Sequence, residues 1–218
     1  MVRKGGDIFM KYLKKEIIDL METVVRKLSM TSSPDKIKML SQELDSLTKA
    51  YMALEGKKML HYRNGNLLNA PQKVIAHQVN CQGKMGSGVA KAIRDKYPKV
   101  YETYLNTCAY NLSNGNSPEH LGGEVDFVKI NDNREVVNLY GQINYGYNGK
   151  RYTNYALLAL ALDKMFFLLD EAGDREVAIP YKMGCDRGGA NWAFVEELLN
   201  DYSEIFNVDV YIYSLEGY

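Results

Sequence analysis

At 218 residues the chain has room for one full domain and a small appendage, and 46% hydrophobic with 25% charged residues is ordinary for a globular protein. Its 27 basic and 27 acidic residues cancel, so no global field recruits nucleic acid or a membrane surface, although residues 1–58 hold twelve Lys/Arg against eight Asp/Glu. The basic start lacks the apolar block of a secretion signal, no apolar run is long enough to cross a bilayer, and three cysteines (Cys81, Cys108, Cys185) without CxxC spacing suit neither a disulfide scaffold nor a zinc knuckle; a cytoplasmic protein without metal or cofactor is expected.

The first 57 residues read as a helical hairpin. Leu13, Ile17, Leu20, Val24 and Leu28 recur at helical spacing, and Ile37, Leu40, Leu44, Leu47, Tyr51 and Leu54 repeat the pattern after SMTSSP. Ser33 is a candidate cap for a helix opening on Pro34, and Gly56 a candidate stop. Two such helices bury little alone, so docking to the larger domain, to a second copy or to a partner is expected.

From residue 58 onward strands and helices alternate. Strands are expected at 59–63, 73–79, 124–130, 135–141, 176–180 and 208–214, and helices at 88–96, 98–110, 153–171 and 191–205. The stretch 111–123, rich in Asn, Ser, Gly and Pro, reads as an exposed loop. The alternation predicts an α/β sandwich, whose ligands sit beyond the carboxyl ends of the strands.

Two loops occupy such places. HQVNCQGKMGSGVAKAI (77–93) and IPYKMGCDRGGANW (179–192) each run from a strand through glycines into a helix. Gly83, Gly86 and Gly88 in the first, and Gly184, Gly188 and Gly189 in the second, let backbone amides approach an anion. Neither loop has the Lys-Ser/Thr of a P-loop or GxGxxG spacing, so a bound diphosphate suits them and ATP hydrolysis does not.

The run from Gly65 to Tyr104, GNLLNAPQKVIAHQVNCQGKMGSGVAKAIRDKYPKVYETY, resembles the opening half of a macrodomain, and VVNLYGQ, TNYALLALAL and AIPYKMGCDRGGANW follow in the family's order. The likeness is to the branch that processes ADP-ribose-1''-phosphate or removes ADP-ribose from modified molecules, and it covers about 160 residues. It implies a three-layer α/β/α sandwich with a mixed sheet, binding ADP-ribose or a derivative. By that resemblance Asn66, beside Leu67, faces the adenine amino group, Asn80 faces the distal ribose, and Gly86, Ser87, Gly88 and Val89 contact the diphosphate. Gln142, Gly184, Cys185, Arg187, Gly188 and Gly189 complete the ligand set, and Tyr145 and Tyr147 are candidates to cover the distal ribose.

A histidine ordinarily titrates near 6.5, which suits His77 to protonating a leaving group or steadying a terminal phosphate, but a buried structural role competes with this. The second loop departs from the family, because Asp186 puts a carboxylate where a glycine is usual. Pointing inward it weakens diphosphate binding by like-charge repulsion; the alternatives are that it points outward, pairs with Arg187, or serves as an acid/base. A catalytic lysine expected near Gln142 and an aspartate near Gly188 in the ester-cleaving branch are both missing. His77, Asn80 and Asp186 are therefore the candidate catalytic groups for hydrolysis at a 1''-phosphate or a distal-ribose C1'' linkage. The alternative is a non-catalytic reader of a NAD-derived signal.

In the hairpin, Ser41-Gln42-Glu43-Leu44-Asp45 resembles the SQELD signature of small aspartyl-phosphate phosphatases acting on sporulation regulators. That resemblance implies Asp45 as a catalytic residue, a response-regulator partner, and a bacterial or phage source.

Overall fold

The computed structural model describes residues 3–54 and 59–215, which fall into two compact units dividing between Lys58 and Met59. Gly56, the expected stop of the second helix, lies outside the described residues. The first unit is a hairpin of α1 (Arg3–Ser29) and α2 (Pro34–Leu54), joined by a short turn, and α2 opens with the Ile37 amide donating to the Ser33 carbonyl at 2.9 Å. Ile17 and Val24 are buried and Leu40, Leu44 and Leu47 half-buried, whereas Leu20 and Ile37 are exposed. A pair of helices covers one stripe, not two.

The second unit is built on six strands: β1 (Leu60–Asn64), β2 (Val74–Asn80), β3 (Val125–Asn131), β4 (Arg134–Gln142), β5 (Glu176–Pro180) and β6 (Asp209–Ser214). Their order across the sheet is β1-β6-β5-β2-β4-β3, parallel throughout except that β3 runs against β4. Helices α3 (Gly88–Lys96) and α4 (Pro98–Ser113) cover one face, and α5 (Tyr155–Ala172) and α6 (Trp192–Phe206) the other. Alternation along β2 sorts the two cores: Val74 and Ala76 meet α5 and α6, and Val79 meets α3 and α4. The helix ends follow local chemistry. The Asn154 side chain accepts from the Ala156 and Leu157 amides to open α5, and Gly173, at φ 74°, closes it.

The chain order reverses between β2 and β5, the position at which α/β sheets open a crevice. The ladder between these strands is short, pairing only Val74 with Val177 and Ile75 with Ala178. By contrast β2 follows β4 as far as Asn80 and Gln142, and β5 follows β6 as far as Pro180 and Tyr213. The carboxyl ends of β2 and β5 therefore part, and the two glycine-rich loops leave from the two lips. The expected loop at 111–123 is more ordered than its composition suggests. Helix α4 runs on to Ser113, and a turn of 3-10 helix at Pro118–Leu121 sets Leu121 into the core beside α4.

Candidate functional site

The first lip is organised from within. Asn80 ends β2 at 5% exposure, and its Oδ1 accepts from the Gln82 amide at 2.9 Å while its Nδ2 donates to the Lys84 carbonyl at 2.7 Å. The Tyr104 hydroxyl of α4 lies 2.6 Å from the Asn80 carbonyl and accepts from the Lys84 amide at 3.1 Å. These bonds hold the chain in a curl that delivers Ser87 and Gly88 to the start of α3. Ser87 makes no capping hydrogen bond with its side chain at the positive end of α3.

The second lip is packed so closely that only glycine fits. A Cβ on Gly188 would lie 2.3 Å from both the Gly184 carbonyl oxygen and Thr153 Oγ1. Gly184 itself sits at φ 74°, in the left-handed region. Buried Thr153 pins this turn by donating from its hydroxyl to the Gly184 carbonyl (2.9 Å), while its amide donates to the Gly188 carbonyl (2.9 Å).

Below the lips lies a floor of uncharged amides. Gln78 Nε2 donates to Gln142 Oε1 at 2.7 Å and to Thr153 Oγ1 at 2.8 Å, knitting β2, β4 and the segment before α5. On the opposite face of β2, His77 is 1% exposed, with Nε2 2.9 Å from Asn138 Oδ1. Burial draws its pKa down to about 4, only partly offset by that hydrogen bond. At neutral pH His77 is an uncharged imidazole, so the expectation that it protonates a leaving group is corrected to one of a hydrogen-bonding group.

The resulting crevice has a volume of about 240 Å³ and brings together both lips and the floor. Of the residues expected from sequence, His77, Ser87, Gly88, Val89 and Gln142 line it from the β2–β4 side. Gly184, Asp186, Arg187 and Gly188 line it from the β5 side. Asp186 is exposed and is the one carboxylate among these lining residues.

Other expected residues stand off the crevice. Asn66 uses its Oδ1 to accept from the Leu68 amide at 2.9 Å, capping a short 3-10 turn in which Leu67 is buried. Asn80 does not line the crevice, and both ends of its amide bond the loop backbone, which gives it a scaffolding role beside its expected one toward the distal ribose. Cys185 lies outside the lining, and burial pushes its thiol up to about 11; Cys81 is raised to about 12 for the same reason. Neither is a thiolate at neutral pH. Gly86 and Gly189 belong to the loops without lining the space, and exposed Tyr145 is likewise outside it. Tyr147 reaches further, with its ring 4.4 Å from the Arg187 guanidinium carbon and its hydroxyl near Gly86, so it spans from one lip toward the other. Asp45 lies exposed on α2 in the first unit, together with Ser41, Gln42 and Glu43.

Sequence reasoning missed Gln78, Lys182 and Thr153. Lys182 lines the crevice with a backbone φ of 54°, rare for a side-chain-bearing residue, in the YKMG stretch that already marked the loop. Gln78 and Thr153 carry no local signal, because their role appears only when strands distant in sequence pair.

The family model "Macro domain" matches residues 76–199. The "DNA ADP-ribosyl glycohydrolase" of Mycobacterium tuberculosis is 26% identical over 160 residues, covering 73% of this chain and 43% of its own length. An "ADP-ribose 1''-phosphate phosphatase" of Aspergillus fumigatus is 43% identical over 58 residues, 26% of this chain and 28% of its own. The chain thus spans less than half the length of these relatives. The solved macrodomain of Mycobacterium tuberculosis DarG superposes with a TM-score of 0.59 at 24% identity, covering 72% of this chain and 98% of that one, a likeness of fold. The family match does not reach the hairpin, and the resemblance of SQELD to the sporulation phosphatases has no support from it.

Proposed function

The chain belongs to the macrodomain family, and on that premise we propose that it binds ADP-ribose carrying a further group and hydrolyses the bond to that group at the distal ribose. The observation carrying this reading is the pair of glycine-rich lips facing each other across the β2–β5 crevice. The uncapped start of α3 on one side and the glycine turn on the other suit a diphosphate, with the distal ribose toward the floor. Asp186 is the residue we assign to chemistry. As a carboxylate it takes a proton from water, the hydroxide adds at C1'', and the departing group leaves with a proton.

Two substrate classes follow from the names of the relatives: ADP-ribose linked to DNA, and ADP-ribose-1''-phosphate. The first runs against the expectation, drawn from net charge, of no nucleic-acid partner. It is favoured because that match extends over 73% of the chain rather than 26%. Incubation with ADP-ribosylated DNA, ADP-ribosylated protein and ADP-ribose-1''-phosphate, with release of free ADP-ribose as the readout, tests the proposal. Asp186→Asn is expected to slow turnover by about 10²–10⁴-fold while ADP-ribose still binds. Calorimetric binding of ADP-ribose with no turnover of any of the three would leave the chain as a reader. The neutral state of buried His77, which removes the interior proton donor, favours that second reading.

A further inference from the structure

Lys182 is the residue at which the chain leaves the sheet for the second lip. The Tyr181 amide still donates to the Tyr213 carbonyl of β6 at 2.8 Å, and the Cys185 amide closes the following turn on the Lys182 carbonyl at 2.9 Å. Between the two, Lys182 stands at φ 54°, in the left-handed region. Among the described residues Asn207, at φ 52°, is the other non-glycine residue found there, and it closes α6 as an asparagine cap does. Glycine would hold position 182 without strain, so a long side chain there is kept at a cost to the fold. Its contacts within the fold do little to offset that cost. The side chain is exposed, and Nζ lies 5.1 Å from the centre of the Tyr181 ring, a contact that is weak at an exposed site. The ring itself is fixed edge-on against Tyr62 and Trp192, at 6.3 and 5.2 Å, so the lysine stem is the movable partner. The crevice lining holds three charged residues, Lys182, Asp186 and Arg187, and none of them forms an ion pair among the described residues.

We infer that Lys182 is a specificity-determining residue, whose ammonium leaves the Tyr181 ring for the ligand's diphosphate and offsets the charge of Asp186. This rests on the ADP-ribose reading and deepens it. A carboxylate in the lining repels a diphosphate, and a cation four residues away in the same turn cancels that repulsion. A charge-assisted bond to a phosphate oxygen is stronger than rest on an exposed ring, so the exchange runs toward the ligand. The strained backbone at Lys182 is the cost of placing that charge at the exit of β5. The β5 lip is thereby matched to the phosphates of ADP-ribose and its derivatives, and not to an uncharged nucleoside.

Calorimetry of ADP-ribose, adenosine and inorganic pyrophosphate against the full chain, with thermal unfolding of each variant, is the test. Lys182→Gly is expected to unfold at the same or a higher temperature, because the left-handed strain is gone, and yet to bind ADP-ribose about tenfold more weakly. Its affinity should also fall less steeply with added NaCl than that of the wild type. Lys182→Arg keeps the charge and is expected to stay within about threefold of the wild type. Adding Asp186→Asn to Lys182→Gly restores the net charge of the lining and is expected to recover most of the loss. Adenosine, which has no phosphate, should not distinguish the wild type from Lys182→Gly. Wild-type affinity for ADP-ribose in Lys182→Gly, an equal loss for adenosine, a loss that Lys182→Arg shares, or no recovery with Asp186→Asn overturns the inference. If the wild type binds no ADP-ribose, that reading falls. Pyrophosphate binding that Lys182→Gly weakens then still sustains the role of Lys182, and its absence ends that role too.

Discussion

Burying an imidazole in a cleft wall couples a single residue to the acid stability of the whole domain. His77 titrates at about 4 when folded and near 6.5 in the unfolded chain, so between those values only the unfolded state takes up the proton. Its contribution to stability is complete above about pH 6.5 and is lost as pH falls toward 4, by up to about 3 kcal/mol. Urea unfolding at about pH 7 and about pH 4.5 should therefore show a smaller drop in stability for His77→Gln than for the wild type. An equal drop in both would contradict the buried, neutral state. The sequence marked His77 as a candidate without saying which way it would titrate. That depends on Asn138, 61 residues away, and on the helices that exclude water from both. Asn80 shows the same limit: its place before a glycine-rich turn was legible, but its commitment to the Lys84 backbone and to Tyr104 of α4 was not.

At the scale of elements, the second glycine-rich turn is the part whose form is most tightly dictated. Gly188→Ala would drive a methyl against the Gly184 carbonyl and Thr153 Oγ1, neither of which can give way without breaking the bonds that hold Gln78. The expected result is loss of ADP-ribose binding by more than about tenfold, with a cost of about 1–3 kcal/mol in stability from overpacking. Calorimetry and thermal unfolding read the two effects, and wild-type affinity in this variant would remove the turn from the binding site. Strand positions came within two residues of expectation because alternation and β-branched runs are local signals. The stretch 111–123 is largely exposed as expected, but its ordered ends were not legible, for the converse reason. Asn111 donates to the Ser117 carbonyl at 2.8 Å and Leu121 is drawn into the core, and neither contact is encoded by composition.

For the molecule as a whole, the division between Lys58 and Met59 predicts that ligand binding belongs to the second unit. A chain of residues 59–218 should bind ADP-ribose within about threefold of the full-length affinity, a difference of less than 1 kcal/mol. A larger loss would make the hairpin part of the site. Within the second unit the sheet is two three-stranded panels, β1-β6-β5 and β2-β4-β3, stitched at Val74–Val177 and Ile75–Ala178. Each panel carries one glycine-rich lip. A diphosphate gripped by both is consequently a rivet across the seam: it resists the parting of the panels at the end where the backbone supplies no stitch.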